Sequence, residues 1–219
     1  MFLQYEEEVL KDIYIPEKAQ AQTLSSGIRE TINVIDGDST MSQEPLSFSD
    51  DMTGSILRGF FKDGELDSVR LEGMATTLYH IFEDSIYQGN NRASGDTIVL
   101  KFGEDDLESI FISGGSEGTY TPDSLGSDID GKVVYQSDKI KYNMQNESTD
   151  LLGEANIDYT DMNLKAGFIN VAWRSNLLKA LPSSDKDSTI TPFRPTMIEE
   201  GNEPMVGDTM IYNLDSQNG

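Results

Sequence analysis

The chain has 219 residues and no cysteine, and 39 acidic against 16 basic residues give it a formal net charge of −23. That balance argues against nucleic acid and against an anionic membrane surface as partners, because both need a basic face. The missing cysteines remove disulfide and thiolate chemistry without fixing the compartment. The acidity reads first as a solvated outer surface and second as a cation-binding role.

Taken in order, residues 1–10 carry Glu6, Glu7 and Glu8 where a signal peptide is basic and then apolar. Either the chain is cytoplasmic or it is an internal fragment whose export signal is expected upstream; 215–219, which reads as a hairpin turn lacking its return strand, favours the fragment. Residues 1–50 form a poorly legible first segment. Ile13, Tyr14 and Ile15 make a short apolar run. Residues 17–24 fit a strand or one helical turn, 31–35 a strand, 36–38 a turn, and 43–51 a loop.

Period-two alternation sharpens in the second segment, 51–122. It predicts strands over 52–61 and 66–79 around a hairpin turn at 62–65, with Leu71, Gly73, Ala75, Thr77 and Tyr79 on one face. His80, the single histidine, reads as structural. Residues 83–94 read as a polar loop. A strand over 95–102 follows, with Ile98, Leu100 and Phe102 facing one way, and 107–112 returns. Gly114–Gly118 reads as a loop; phosphate-cradling loops open a helix and carry a lysine, and neither is present.

The third segment, 123–219, opens on a Gly/Ser/Asp linker over 122–131. Strands are expected over 139–144, 151–159 and 164–173, with Ile140 and Tyr142, then Ala155, Ile157 and Tyr159, then Ile169, Val171 and Trp173 on their apolar faces. Alternation slips by one residue at Gly167. A β-bulge there keeps Leu164, Ala166, Ile169 and Trp173 on one wall. Residues 177–181 are a short apolar run, 182–203 a long exposed loop, and 206–214 the last strand, with Met210 and Tyr212.

Chemistry-bearing constellations are absent from this pattern. One histidine and no cysteine leave no Ser/His/Asp or Cys/His set to assemble. Residues 123–130 lack the D-x-D-x-D-G register of a calcium loop, and 36–38 is too short. Carboxylate pairs are too many to be diagnostic. No cofactor, metal or catalytic residue is expected.

Two phrases repeat. Gly153-Glu154-Ala155-Asn156-Ile157-Asp158-Tyr159 echoes Gly73-Met74-Ala75-Thr76-Thr77-Leu78-Tyr79. Ser137-Asp138-Lys139-Ile140-Lys141-Tyr142 echoes Gly207-Asp208-Thr209-Met210-Ile211-Tyr212 and, loosely, Gly95-Asp96-Thr97-Ile98. Repetition of a strand-turn-strand phrase points to a stack of one unit. With Leu164-Lys165-Ala166 and Ile169-Asn170-Val171, these phrases resemble the OstA-like family of lipopolysaccharide transport and assembly proteins over residues 135–214. Residues 51–122 resemble divergent units of the same kind. The resemblance implies an all-β fold: an antiparallel, V-shaped β-jelly-roll (β-taco-like), as one module or two continuous ones.

It also implies a non-enzymatic module, in the periplasm or at the periplasmic face of the outer membrane. Such a module holds lipopolysaccharide or a related lipid by its acyl chains. It stacks with like modules by strand addition and works with the outer-membrane assembly machinery. The groove residues it implies are Leu71, Ala75, Tyr79, Ile98, Leu100, Phe102, Ile140, Tyr142, Ala155, Ile157, Tyr159, Leu164, Ile169, Val171, Trp173, Met210 and Tyr212. An open groove and a closed core share the same alternation. The rival reading is therefore a structural or adhesion β-sandwich or solenoid with a closed core, binding protein or glycan.

Overall fold

Alternation gives a strand one wet and one dry face; a strand whose alternation breaks once can present its dry face to a fold of its own sheet. The computed structural model describes residues 1–6, 8–35, 38–103, 107–183 and 193–216, the side chains of 34, 35 and 38 excepted. Five strands come first: β1 (Phe2–Glu6), β2 (Val9–Ile15), β3 (Ala19–Ile35), β4 (Asp38–Gly54) and β5 (Ile56–Lys62). Then follow β6 (Glu65–Glu83), β7 (Ile86–Phe102), β8 (Leu107–Pro122), β9 (Val133–Asn143), β10 (Ser148–Tyr159) and β11 (Met162–Ala172). A 3-10 turn over Trp173–Ser175 leads to β12 (Leu177–Leu181), β13 (Thr196–Glu199), β14 (Met205–Val206) and β15 (Met210–Asn213).

From β6 to β11 the strands pair in chain order as an antiparallel meander, and each ladder shifts register near mid-strand, with a second shift close to one end of the β6–β7 and β7–β8 ladders. The mid-strand shifts line up as a crease. On one side of it lie β2, β5, the first half of β6, the second half of β7, and so on to β12 and β15. On the other lie β4, the second half of β6, the first half of β7, and so on to β13 and β14. One sheet thus closes over itself as two facing halves, the all-β jelly-roll architecture.

The crease explains the Gly-x-Ala phrase of β6 and β10 and the Gly-Gly-Ser of β8. Each opens on two successive left-handed residues: Gly73 and Met74 at φ +77° and +49°, Gly114 and Gly115 at +84° and +64°, Gly153 and Glu154 at +77° and +44°. Left-handed backbone is easy for glycine and disfavoured elsewhere, so glycine marks each site. On β8 and β10 an aspartate stands opposite, and on β6 Ser55 does. A Cβ added to Gly114 would lie 2.5 Å from Oδ2 of Asp96, and one added to Gly153 would collide with the carboxylate of Asp138.

Gly167 is where the inward set of β11 changes parity: Leu164, Ala166, Ile169 and Val171 are all buried. The additional residue, however, belongs to β10, whose Gly153 and Glu154 stand against Gly167 alone. Trp173 lies in the 3-10 turn rather than at the end of the strand. Gly73, expected on the inner face, is exposed in its bulge.

Several expected loops are strands. Residues 43–51 lie in β4, and 86–94 in β7 after a tight turn at Asp84 and Ser85, both at positive φ. Gly114–Gly118 lies within β8. Polar composition misled there because one face of each strand is wet, and glycines that read as loop are bulge residues. The expected strand over 52–61 is two, divided after Gly54, and the expected last strand is split between β14 and β15. The long loop over 182–203 contains β13, while 184–192 lies outside the described residues. So does the turn at 36–37. Across the linker over 123–131 the sheet is continuous, since β8 pairs directly with β9.

β3 and β4 form a long two-stranded ribbon, paired from Ala19↔Gly54 to Ile35↔Asp38. Its base is fixed to the body by β4 against β6 and by Ile28 beside Ile86. Arg29 donates to Asp123 at 2.5 Å. Asp50 accepts from the His80 backbone N–H at 2.8 Å and bonds the ring Nδ1 at 2.7 Å, and His80 stacks on Phe48 at 4.0 Å. Buried polar groups need such partners, and these contacts hold His80 at the junction of ribbon and body.

Candidate functional site

Large inward side chains cannot fill a folded sheet evenly, and among the described residues cavities remain between its halves, two of which concern the site. The first, of about 330 Å³, is on the side away from the crease. Its floor is Thr77, Asn91, Ala93 and Ile110, from β6, β7 and β8. Tyr120 and Trp173 pack against each other in its wall, ring centroids 5.6 Å apart and tilted by 49°, and Tyr142 and Phe82 add aromatic surface. The second, of about 340 Å³, is lined by apolar residues including Met52, Leu100, Phe102 and Leu107, with Ser25 and Asp50 at one side. Thr77, Tyr79 and Ile110 border both, so the two adjoin.

Of the side chains picked from the sequence, Tyr79, Tyr142 and Trp173 line the first cavity, and Tyr79, Leu100 and Phe102 the second. The others pack as core away from both: Leu71, Ala75, Ile98, Ile140, Ala155, Ile157, Tyr159, Leu164, Ile169, Val171 and Tyr212 are buried, and Met210 packs partly buried against them. Sequence reasoning passed over Asn91, Ala93 and Tyr120, which fell in expected loops. Alternation carried through β7 and β8 would have found them.

Among the described residues, every buried side-chain polar atom has a hydrogen-bond partner. Tyr135 donates to Asn91 Oδ1 at 2.6 Å, Asn91 donates to the Tyr142 hydroxyl at 3.4 Å, and the two tyrosine hydroxyls bond each other. Because each hydroxyl has one proton, Tyr142 must donate to Tyr135, which closes a ring of three bonds. Burial pushes Tyr142 up to about 12, and pushes Tyr135 well up with Tyr142 beside it adding. Both folded values exceed the unfolded one, so their contribution to stability is complete below about pH 10 and is lost as pH rises through the folded values. In an ultraviolet titration of the nine tyrosines, these two are expected to ionise only as the chain unfolds. Reversible ionisation of all nine in the folded chain would contradict the ring.

Charge gathers at the mouth. Glu83, Asp128 and Glu147 line it, and Arg174 is the one basic side chain among the described lining residues. Arg174 donates from Nε and Nη2 to the Glu147 carboxylate at 3.0 and 2.7 Å. Glu147 raises the Arg174 pKa, with Glu83 and Asp84 adding through space. Trp173 Nε1 donates to Thr149 at 2.7 Å and Tyr120 to the Gln88 carbonyl at 2.8 Å, which fixes both rings. Burial raises the Tyr120 pKa, partly offset by Ser127.

A Ser/His/Asp set does assemble, against expectation: Ser25, Asp50 and His80 meet at the base of the ribbon. Its wiring is not that of a nucleophile. Ser25 and His80 both bond the Asp50 carboxylate, so no imidazole nitrogen takes the serine proton.

No protein-family model matches this sequence, and no curated protein matches it. Among solved structures, the fold is similar to that of LptH, the LptA-homologous periplasmic component of the conserved lipopolysaccharide transport device of Pseudomonas aeruginosa. The two chains are 14% identical, the TM-score is 0.50, and the match covers 65% of this chain and 90% of LptH. At that identity the likeness concerns the fold alone.

Proposed function

We propose that this chain is a lipid-carrying module of the lipopolysaccharide-transport kind, holding acyl chains between the two halves of its folded sheet. The observation that carries the reading is the pair of adjoining cavities on the inner face of a jelly-roll of the LptH type. Each is of ligand-site size, at the low end of about 300–1,000 Å³. Every methylene placed there contributes about 0.8 kcal/mol.

The sheet ends support stacking with like modules. Edge strand β1 exposes Phe2, Leu3 and Tyr5, and β14 and β15 expose Met205, Val206 and Ile211. Unpaired edges of this kind accept added strands. The module acts without catalysis, in a periplasmic setting, and its partners are lipid and further modules.

Dye displacement tests the lipid reading. The purified chain is expected to take up an apolar fluorescent dye and to release it to lipopolysaccharide or to a monoacylglycerol. A chain that takes up neither dye nor lipid has a closed core, and the structural-module reading then stands.

A further inference from the structure

The first cavity pairs an aromatic, apolar interior with an acidic mouth, and from that combination we infer that its amphiphile carries an ammonium group in the head. This rests on the acyl-chain reading and adds the chemistry of the head. Glu83, Asp128 and Glu147 line the opening. Its one described base, Arg174, holds Glu147 by two hydrogen bonds and has its charge matched there. A phosphate or sulfate head would have to break that pair and face the remaining carboxylates unscreened.

An ammonium head meets the opposite situation. Glu83 and Asp128 supply charge, and the rings of Trp173 and Tyr120, fixed by their hydrogen bonds, offer π faces beside the tail site. Aromatic faces with nearby carboxylates are the surroundings in which quaternary ammonium groups bind well. The tail continues over Ala93 and Ile110 toward the second cavity. The ammonium can belong to a simple single-chain amphiphile or to an amine substituent on the head of a larger glycolipid.

Trp173 is the single tryptophan and lines the site, so its fluorescence reports occupancy directly. Three dodecyl amphiphiles are titrated below their micelle concentrations: the trimethylammonium, the maltoside and the phosphate. Expected affinity falls in that order, with roughly tenfold or more between the first and the last, narrowing as salt rises. Glu83→Gln with Asp128→Asn is expected to weaken the trimethylammonium several-fold and leave the maltoside unchanged. Asp63→Asn with Glu65→Gln removes the same charge at a distant hairpin and is expected to change neither.

Equal or tighter binding of the phosphate overturns the assignment and leaves the acyl-chain reading intact. So does an equal loss from the distant pair, which makes the effect one of net charge. Failure of all three to bind removes the acyl-chain reading and the ammonium assignment with it. A simple amphiphile and an amine-bearing glycolipid are then told apart by competing each against the bound trimethylammonium probe.

Discussion

Phenylalanine at position 93 is expected to abolish acyl-chain uptake while the chain stays folded. Ala93 sits on the inner face of β7, 3% exposed, in the floor of the first cavity. Small-to-large changes in a filled core cost about 1–3 kcal/mol through strain. Beside Ala93 the added ring has open space, so Ala93→Phe should lie at the low end. What it displaces is tail. Losing about four buried methylenes at about 0.8 kcal/mol each removes about 3 kcal/mol of binding, roughly a hundredfold in affinity. Thermal unfolding and probe titration on the same sample separate the two effects. A folded Ala93→Phe chain that binds as before would show that lipid, if it binds, binds elsewhere.

The second large effect lies at the crease. Gly167→Ala should destabilise the fold by about 3 kcal/mol, because the new Cβ meets backbone of Pro182 and Ser183, which cannot swing aside as a side chain end does. Gly167 is also where β11 changes partners, from β12 over Ala172–Phe168 to β13 over Lys165–Met162. Gly115→Ala is the internal control. Gly115 is at φ +64° with nothing within 4 Å of an added Cβ, so only the left-handed backbone term applies, about 1 kcal/mol. Denaturant midpoints at unchanged slope give both values. If Gly167→Ala is no worse than Gly115→Ala, backbone crowding at the crease is not what selects glycine there.

Legibility in the sequence followed the physics of each position. The β class, the strand over 151–159 and the slip at Gly167 were readable because alternation is local and a glycine at a parity change marks a bulge or a close backbone approach. Met74 and Glu154 occupy left-handed positions that no composition rule marks, and Gly114-Gly115 has the residue signature of a loop. The crease is visible only when neighbouring strands are placed side by side, with Asp96 against Gly114 and Asp138 against Gly153. Residues 19–54 were the hardest, since a ribbon solvated on most of its length has no dry face to impose a period.

Within the candidate site, alternation identified the inward set but not its gaps. Whether Ile157 or Tyr142 borders empty space depends on what the facing half places opposite, which is a property of pairs distant in sequence. Ile157 meets packed core, and Tyr142 meets the cavity. The Asn91–Tyr135–Tyr142 ring is of the same non-local kind, joining β7 to β9 across residues that the polar stretch 83–94 obscured.

The central claim is that the space between the sheet halves holds an acyl chain, and Trp173 stands in the wall of that space. The direct measurement is quenching of Trp173 emission by a monoacylglycerol brominated along its chain, because bromine quenches only at contact. Saturable quenching below the micelle concentration, lost in Ala93→Phe, is the expected result. Unquenched emission at saturating lipid, from a chain shown to be folded, would contradict the account.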